Sequence, residues 1–209
     1  MTSYFLNTFW PLCSSLSDTS PYPPFCDGSI RREPDLQNRY PSISSLCRAG
    51  KFAPRLGVGD WVIYLTCKGC YGPDSEPGWR VVAALEIRER LPNHAAAANW
   101  YEERREPLPG NCMVLRNQRT PVEYTHLAKK GCARVVRDDA EYRRRADAHP
   151  HFLICSPIRM DLVDPPQIRE PELRRTFGGE LPGTQSGKEI TRSQFVRLLE
   201  LLPDHIRKR

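Results

Sequence analysis

Twenty prolines stand among 209 residues, against only thirteen glycines. Proline fixes φ, removes a backbone donor and pushes the residue before it out of the helical region. A chain punctuated this often builds short elements joined by stiff, extended connections, so an α+β fold with few long helices and much irregular surface is expected. Hydrophobic residues make up 39% and charged residues 27%, near the globular norm and away from the signature of disorder. Single cores commonly span about 100 to 200 residues. The length therefore suits one main domain, expected over residues 1–160, with a Pro/Gly-rich arm and C-terminal helix over 161–209 packed on it.

Residues 4–10 are aromatic and β-prone and can open a sheet, and 42–47 are suited to a second strand. The clearest strand is Val58-Gly-Asp-Trp-Val-Ile-Tyr-Leu-Thr66, in which Trp61, Ile63 and Leu65 face one way and Val62, Tyr64 and Thr66 the other. Neither set is polar, which predicts a central strand. Residues 67–78 carry Gly69, Gly72, Pro73, Pro77 and Gly78, a long hairpin connection leading to a return strand over 79–89. Asn93 is suited to cap a helix running to about Arg105. A short strand is expected over 113–115, a helix over 138–149, a strand over 151–155 and an arm or covering loop over 157–187. Thr191 and Gln194 form a capping-box pattern before an apolar final helix that Pro203 ends.

The order of Gly-Asp-aromatic strand, Gly-rich hairpin, Ala-Leu-Glu strand and helix is similar to EVE, ASCH and other PUA-like domains. Four stretches, Ile30-Arg-Arg-Glu-Pro-Asp35, Gly50-Lys-Phe-Ala-Pro-Arg55, 58–66 and Leu108-Pro-Gly-Asn-Cys-Met113, resemble the bacterial and phage nucleotide modification associated domain families. The resemblance covers about half of the chain. It implies a PUA-like β-barrel with flanking helices, and a binding module linked to DNA modification, restriction or phage defence. Such a module reads a modified or flipped base from DNA or RNA in a pocket beside the barrel. The long 67–78 connection departs from the EVE pattern and changes the shape of any such pocket.

Carried over residue by residue, the resemblance places Thr66, Tyr71 and Trp79 at the hairpin mouth as base-binding residues, with Asn111 from the loop after the helix and Thr8 and Trp10 from the first strand. Lys68, Arg80, Arg143 and Arg144 are the candidate phosphate contacts. Each has an ordinary structural role as an alternative: Trp79 and Trp61 as core aromatics, Thr66 as a strand end, Asn111 as a turn residue, and the cations as solvated charge. A net charge of +6 and a pI near 9.0 suit a polyanionic partner.

Eight cysteines are read as reduced thiols of a cytoplasmic protein, since nothing in residues 1–10 resembles a signal peptide and no apolar stretch reaches membrane-spanning length. Cys67 and Cys70 have half the spacing of a zinc site, and no second close pair completes it, so no cofactor or metal is expected. Gly183-Thr-Gln-Ser-Gly-Lys188 encloses three residues where a phosphate loop needs four. Asp138 and Asp139 suit the first turn of a helix. No catalytic role follows from these residues. Two alternatives stay open: an enzyme acting on modified nucleotides through Cys70, Cys112, His126 or Asp138 and Asp139, and a subunit whose C-terminal helix docks a nuclease or methyltransferase.

Overall fold

The computed structural model describes residues 2–14, 22–29, 31–46, 50–71, 76–117, 132–183 and 187–208. Their elements are β1 (Tyr4–Phe9), β2 (Ser42–Ser44), β3 (Trp61–Thr66), β4 (Trp79–Leu91), α1 (His94–Glu103), α2 (Cys132–Ala148), β5 (Phe152–Asp161), β6 (Gln167–Ile168), α3 (Glu170–Thr176), β7 (Lys188–Ile190), α4 (Arg192–Leu199) and β8 (Ile206–Arg207). The fold is α+β around one mixed sheet of order β2-β5-β4-β3-β1-β7, with β6 also on β4 and β8 also on β5. The described path ends at β2 and β7 without closing on itself, where the sequence suggested a barrel.

β3 is central, as its two apolar faces require. It pairs parallel with β1, Tyr4 opposite Trp61 through Phe9 opposite Thr66, and antiparallel with β4 across the hairpin. The alternation of β3 divides the core. Val62 and Tyr64 join Phe5, Phe9, Leu85, Ile87 and Leu153 on one face, while Ile63 and Leu65 join Leu6, Trp79, Val81, Leu173 and Phe195 on the other. The second face is roofed by α3 and α4. The Phe195 ring sits 5.2 Å from Tyr4 and 5.5 Å from Trp61, so the apolar stripe of the C-terminal helix packs on the sheet of its own chain.

Asn93 caps α1, its Oδ1 accepting from the Ala96 N–H at 2.8 Å, and Thr191 with Gln194 forms the capping box of α4. Three local expectations differ from the structure. Residues 113–115 form no strand, because the Met113 N–H donates to His94 Nδ1 at 3.1 Å in place of a ladder carbonyl. α2 begins at Cys132, so Asp138 and Asp139 lie inside the helix, past the first turn where acidic residues favour the dipole. Residues 157–187 are more than an arm: β5 runs on to Asp161, and β6 and α3 follow. No helix among the described residues is long and apolar enough to cross a membrane.

β2 and β8 both lie on the edge of β5 that β4 leaves free, β2 against 152–154 and β8 against Met160 and Asp161. The segment that precedes β2 is brought beside the end of the chain, and there the polar groups of the molecule collect.

Candidate functional site

Residues 31–38 carry Arg31, Arg32, Glu33, Asp35 and Asn38, and all five are buried. Burying charge is costly unless each group finds partners, so the arrangement of these five is highly constrained. Glu33 accepts from the Ser44 N–H at 2.8 Å, the Ser44 hydroxyl at 2.5 Å and Asn111 Nδ2 at 2.8 Å. Desolvation nevertheless pushes its carboxyl up to about 8. Asp27 accepts from the Ser29 N–H at 2.8 Å, the Ser29 hydroxyl and the Glu33 N–H at 3.0 Å, and burial raises it to about 6. Asp35 accepts from the N–H groups of Gln37 at 3.0 Å, Asn38 at 3.3 Å and Gly110 at 2.5 Å. The loop of 108–113 is thereby tied to the 31–38 segment at two points, through Asn111 and Gly110.

Arg32 is the exception to this pairing. Only 4% of the residue is exposed, its backbone φ is +46°, and its guanidinium carbon stands 3.5 Å from the centre of the Tyr22 ring. The Nε is buried without a hydrogen-bond partner; the Cys26 thiol lies against the guanidinium and the Asp27 carboxyl is near enough to feel its charge, but neither closes an ion pair within 4 Å. The left-handed backbone costs about 1 to 2 kcal/mol for a side chain of this kind. Arg32, Tyr22, Asp35, Asn38, Gly110 and Asn117 line an open cavity of about 270 Å³, small beside ligand pockets that start at about 300 Å³. A buried cation stacked on an aromatic ring with an unfilled donor is equipped to bind a planar group rich in acceptors.

The chain's end reaches the same region. Leu162 N–H donates to the Arg207 carbonyl at 3.0 Å, Arg207 pairs with the buried Asp161 at 3.0 Å, and Lys208 Nζ donates to the Asn38 carbonyl at 2.5 Å. Burial holds the Lys208 ammonium below the usual lysine range, with Asp35 and Glu106 working against that shift.

The structure groups the sequence-derived residues differently. Thr66, Tyr71 and Arg80 do meet at the hairpin: the Arg80 N–H donates to Thr66 Oγ1 at 2.9 Å, and the Arg80 guanidinium donates to the carbonyls of Pro165 at 2.9 Å and Tyr71 at 3.3 Å. Tyr71 donates its hydroxyl to the Cys67 carbonyl at 2.5 Å, and burial pushes the phenol up to about 12. Trp79 is 4% exposed and points into the opposite core, capped by the Lys68 ammonium 5.2 Å from its ring; Lys68 in turn pairs with Glu170 at 2.7 Å. Thr8 is buried, its hydroxyl 3.4 Å from the Gly183 carbonyl, whereas Trp10 is 58% exposed. Asn111 lies apart from all of these. Its amide is filled by Glu33 and by Ser42, whose carbonyl accepts from Nδ2 at 3.2 Å and whose hydroxyl donates to Oδ1 at 2.7 Å. Arg144 pairs with Glu141 on the surface of α2, and Arg143 stands half-buried beside it.

Of the thiols considered above, Cys67 is buried and Cys70 exposed. Cys112 is buried, donates to the His94 carbonyl at 3.4 Å and is pushed up to about 12 by desolvation, which keeps it a thiol rather than a nucleophilic thiolate. No group of three or more potential metal ligands is assembled among the described residues. Cys47 and His126 lie outside those residues, as do the side chains of Cys132, Asp138 and Asp139. Arg32 and Tyr22 do not stand out in the sequence, because an Arg beside a Glu and a Pro reads as solvated loop. The one signal is that 30–35 and 108–113 stand out together in the sequence, and Glu33 and Asp35 of the first meet Asn111 and Gly110 of the second.

No family model matches the sequence, and no curated protein matches it either. Among solved structures the chain is similar to one described as the crystal structure of ASCH from Zymomonas mobilis, at a TM-score of 0.42 and 8% identity over 97% of each chain.

Proposed function

We propose that this chain is a nucleic-acid-binding module that reads a modified or flipped base and performs no chemistry of its own. The observation that carries the reading is Arg32, a buried guanidinium without an ion pair, stacked on Tyr22 and lining a cavity of about 270 Å³. A base taken out of its stack needs hydrogen bonds to its edge and a flat surface to lie against, and the guanidinium donors and the Arg32–Tyr22 stack are suited to supply them.

The basic net charge suits the phosphate backbone. Lys68 and Arg144 serve as phosphate contacts in this proposal, since ion pairs exposed as theirs are contribute little and exchange readily for phosphate. Arg143 joins them on α2. Arg80, held by two carbonyls with a mostly buried side chain, and Thr66 act as supports of the hairpin. Trp10 is exposed enough to stack on a neighbouring base, and its carbonyl accepts from Gly28, next to Asp27 of the charged network. The sequence resemblance adds a role in DNA modification, restriction or phage defence.

The test is binding of the purified chain to short single- and double-stranded DNA and RNA, with unmodified and modified bases, at two salt concentrations. A preference among bases that persists at high salt supports the reading, because backbone attraction fades with salt while base contacts survive better. Weak, uniform binding that vanishes with salt overturns it.

A further inference from the structure

Arg32 and Asp35 line one cavity and present opposite chemistry to it. The guanidinium lies over Tyr22 on one face, with the Cys26 thiol and the Asp27 carboxyl near it, and its Nε–H has no partner, so part of its planar fork of N–H donors is the recognition element. That fork matches two adjacent acceptors in one plane. Both an oxyanion and the O6/N7 edge of guanine provide such a pair.

Asp35 discriminates between them. Its carboxylate accepts three backbone N–H groups, from Gln37, Asn38 and Gly110, which leaves about one of four acceptor positions open. A carboxylate at the wall repels an oxyanion and accepts an N–H donor. Adenine sets an N6 donor beside its N7 acceptor and would oppose donor to donor at Arg32. Guanine carries adjacent acceptors on one edge and N–H donors on the other, and so answers both groups. The cavity's modest volume suits a single base.

We infer that the cavity takes a 6-oxopurine base of the guanine type, with Arg32 reading O6 and N7 and Asp35 accepting from a base N–H. This rests on the base-reading function proposed above and names its ligand. The first experiment measures binding of guanosine, 7-deazaguanosine, adenosine, cytidine and uridine to the full chain, with inorganic phosphate as competitor. Guanosine is expected to bind on the order of tenfold more tightly than adenosine, and 7-deazaguanosine to lose a similar factor. Inorganic phosphate should not displace guanosine. Equal binding of the nucleosides, or displacement by phosphate, overturns the inference.

The Arg32→Lys variant retains the charge and loses the fork, so it should lose most of the difference between guanosine and 7-deazaguanosine, which depends on N7. Because the 7-deaza comparison uses the unaltered protein, the inference stays testable if this variant does not fold. A second series places one unpaired G, A, C or T in otherwise identical oligonucleotides. Base-dependent binding at high salt without preference for G defeats the guanine assignment alone. Absence of any base dependence defeats the base-reading function itself.

Discussion

Asn111 Nδ2 donates to the Glu33 carboxyl at 2.8 Å, across 78 positions of sequence and between two buried residues. This contact joins the loop after α1 to the segment that carries Arg32. Asn111→Leu removes a donor from a buried acid and strands the Ser42 hydroxyl, so it should lower unfolding free energy by about 2 to 3 kcal/mol. Denaturant midpoints at neutral pH check this. A loss under 0.5 kcal/mol would mean that water replaces the amide.

Glu33 makes stability depend on pH. Its folded value of about 8 lies above its ordinary 4.5, so the folded state holds a proton that the unfolded state releases between those limits. The stabilisation is complete below about pH 4.5 and is lost as pH rises through about 8. Asp27 adds the same sign over a lower window, up to about 6. His94, held down to about 4 by burial, acts oppositely: its contribution is complete above 6.5 and is lost as pH falls toward 4. The Glu33→Gln variant isolates the first effect. Its stability relative to the parent should rise by at least about 1.4 kcal/mol between pH 5 and 8, the worth of one unit of difference. Parallel stability curves would contradict the buried acid.

Trp79→Ala should cost about 3 to 5 kcal/mol, because the ring fills the core between Val81, Ile168 and Leu173. Trp79→Phe keeps most of that packing and should leave nucleic-acid binding unchanged. A folded Phe variant that loses base preference would move the site to the hairpin mouth.

Leu198→Ala should cost about 2 to 5 kcal/mol, as the side chain is fully enclosed against the sheet. Thermal or denaturant unfolding measures it. A neutral result would mean that α4 does not seat on β1 and β3 in solution.

What the sequence made legible was local. The alternation of 61–66 placed β3 in the middle of the sheet, the glycines of 67–78 marked the hairpin, and Asn93, Thr191 and Gln194 marked the two caps, because each depends on neighbours a few residues away. The cavity depends on contacts that propensity does not register. Asp35, which lines the cavity with Arg32, meets Gly110 through a contact across 75 positions of sequence, and a buried Arg is indistinguishable in sequence from an exposed one. Asn111 reads in the sequence as a base-binding residue; the structure sets it in the buried network, with both amide N–H groups and Oδ1 hydrogen-bonded to Glu33 and Ser42. The missing strand at 113–115 has the same origin, since only the fold brings His94 Nδ1 to the Met113 N–H.

The most direct measurement compares the parent chain with Arg32→Met in binding a single-stranded oligonucleotide and its abasic counterpart, at low and high salt. Methionine keeps much of the length and apolar stem over Tyr22 while removing the donors. The parent should prefer the intact oligonucleotide at both salts, and the variant should lose most of that preference, above all at high salt. If the folded variant retains the parent's preference, Arg32 does not read the base and the cavity is not the site.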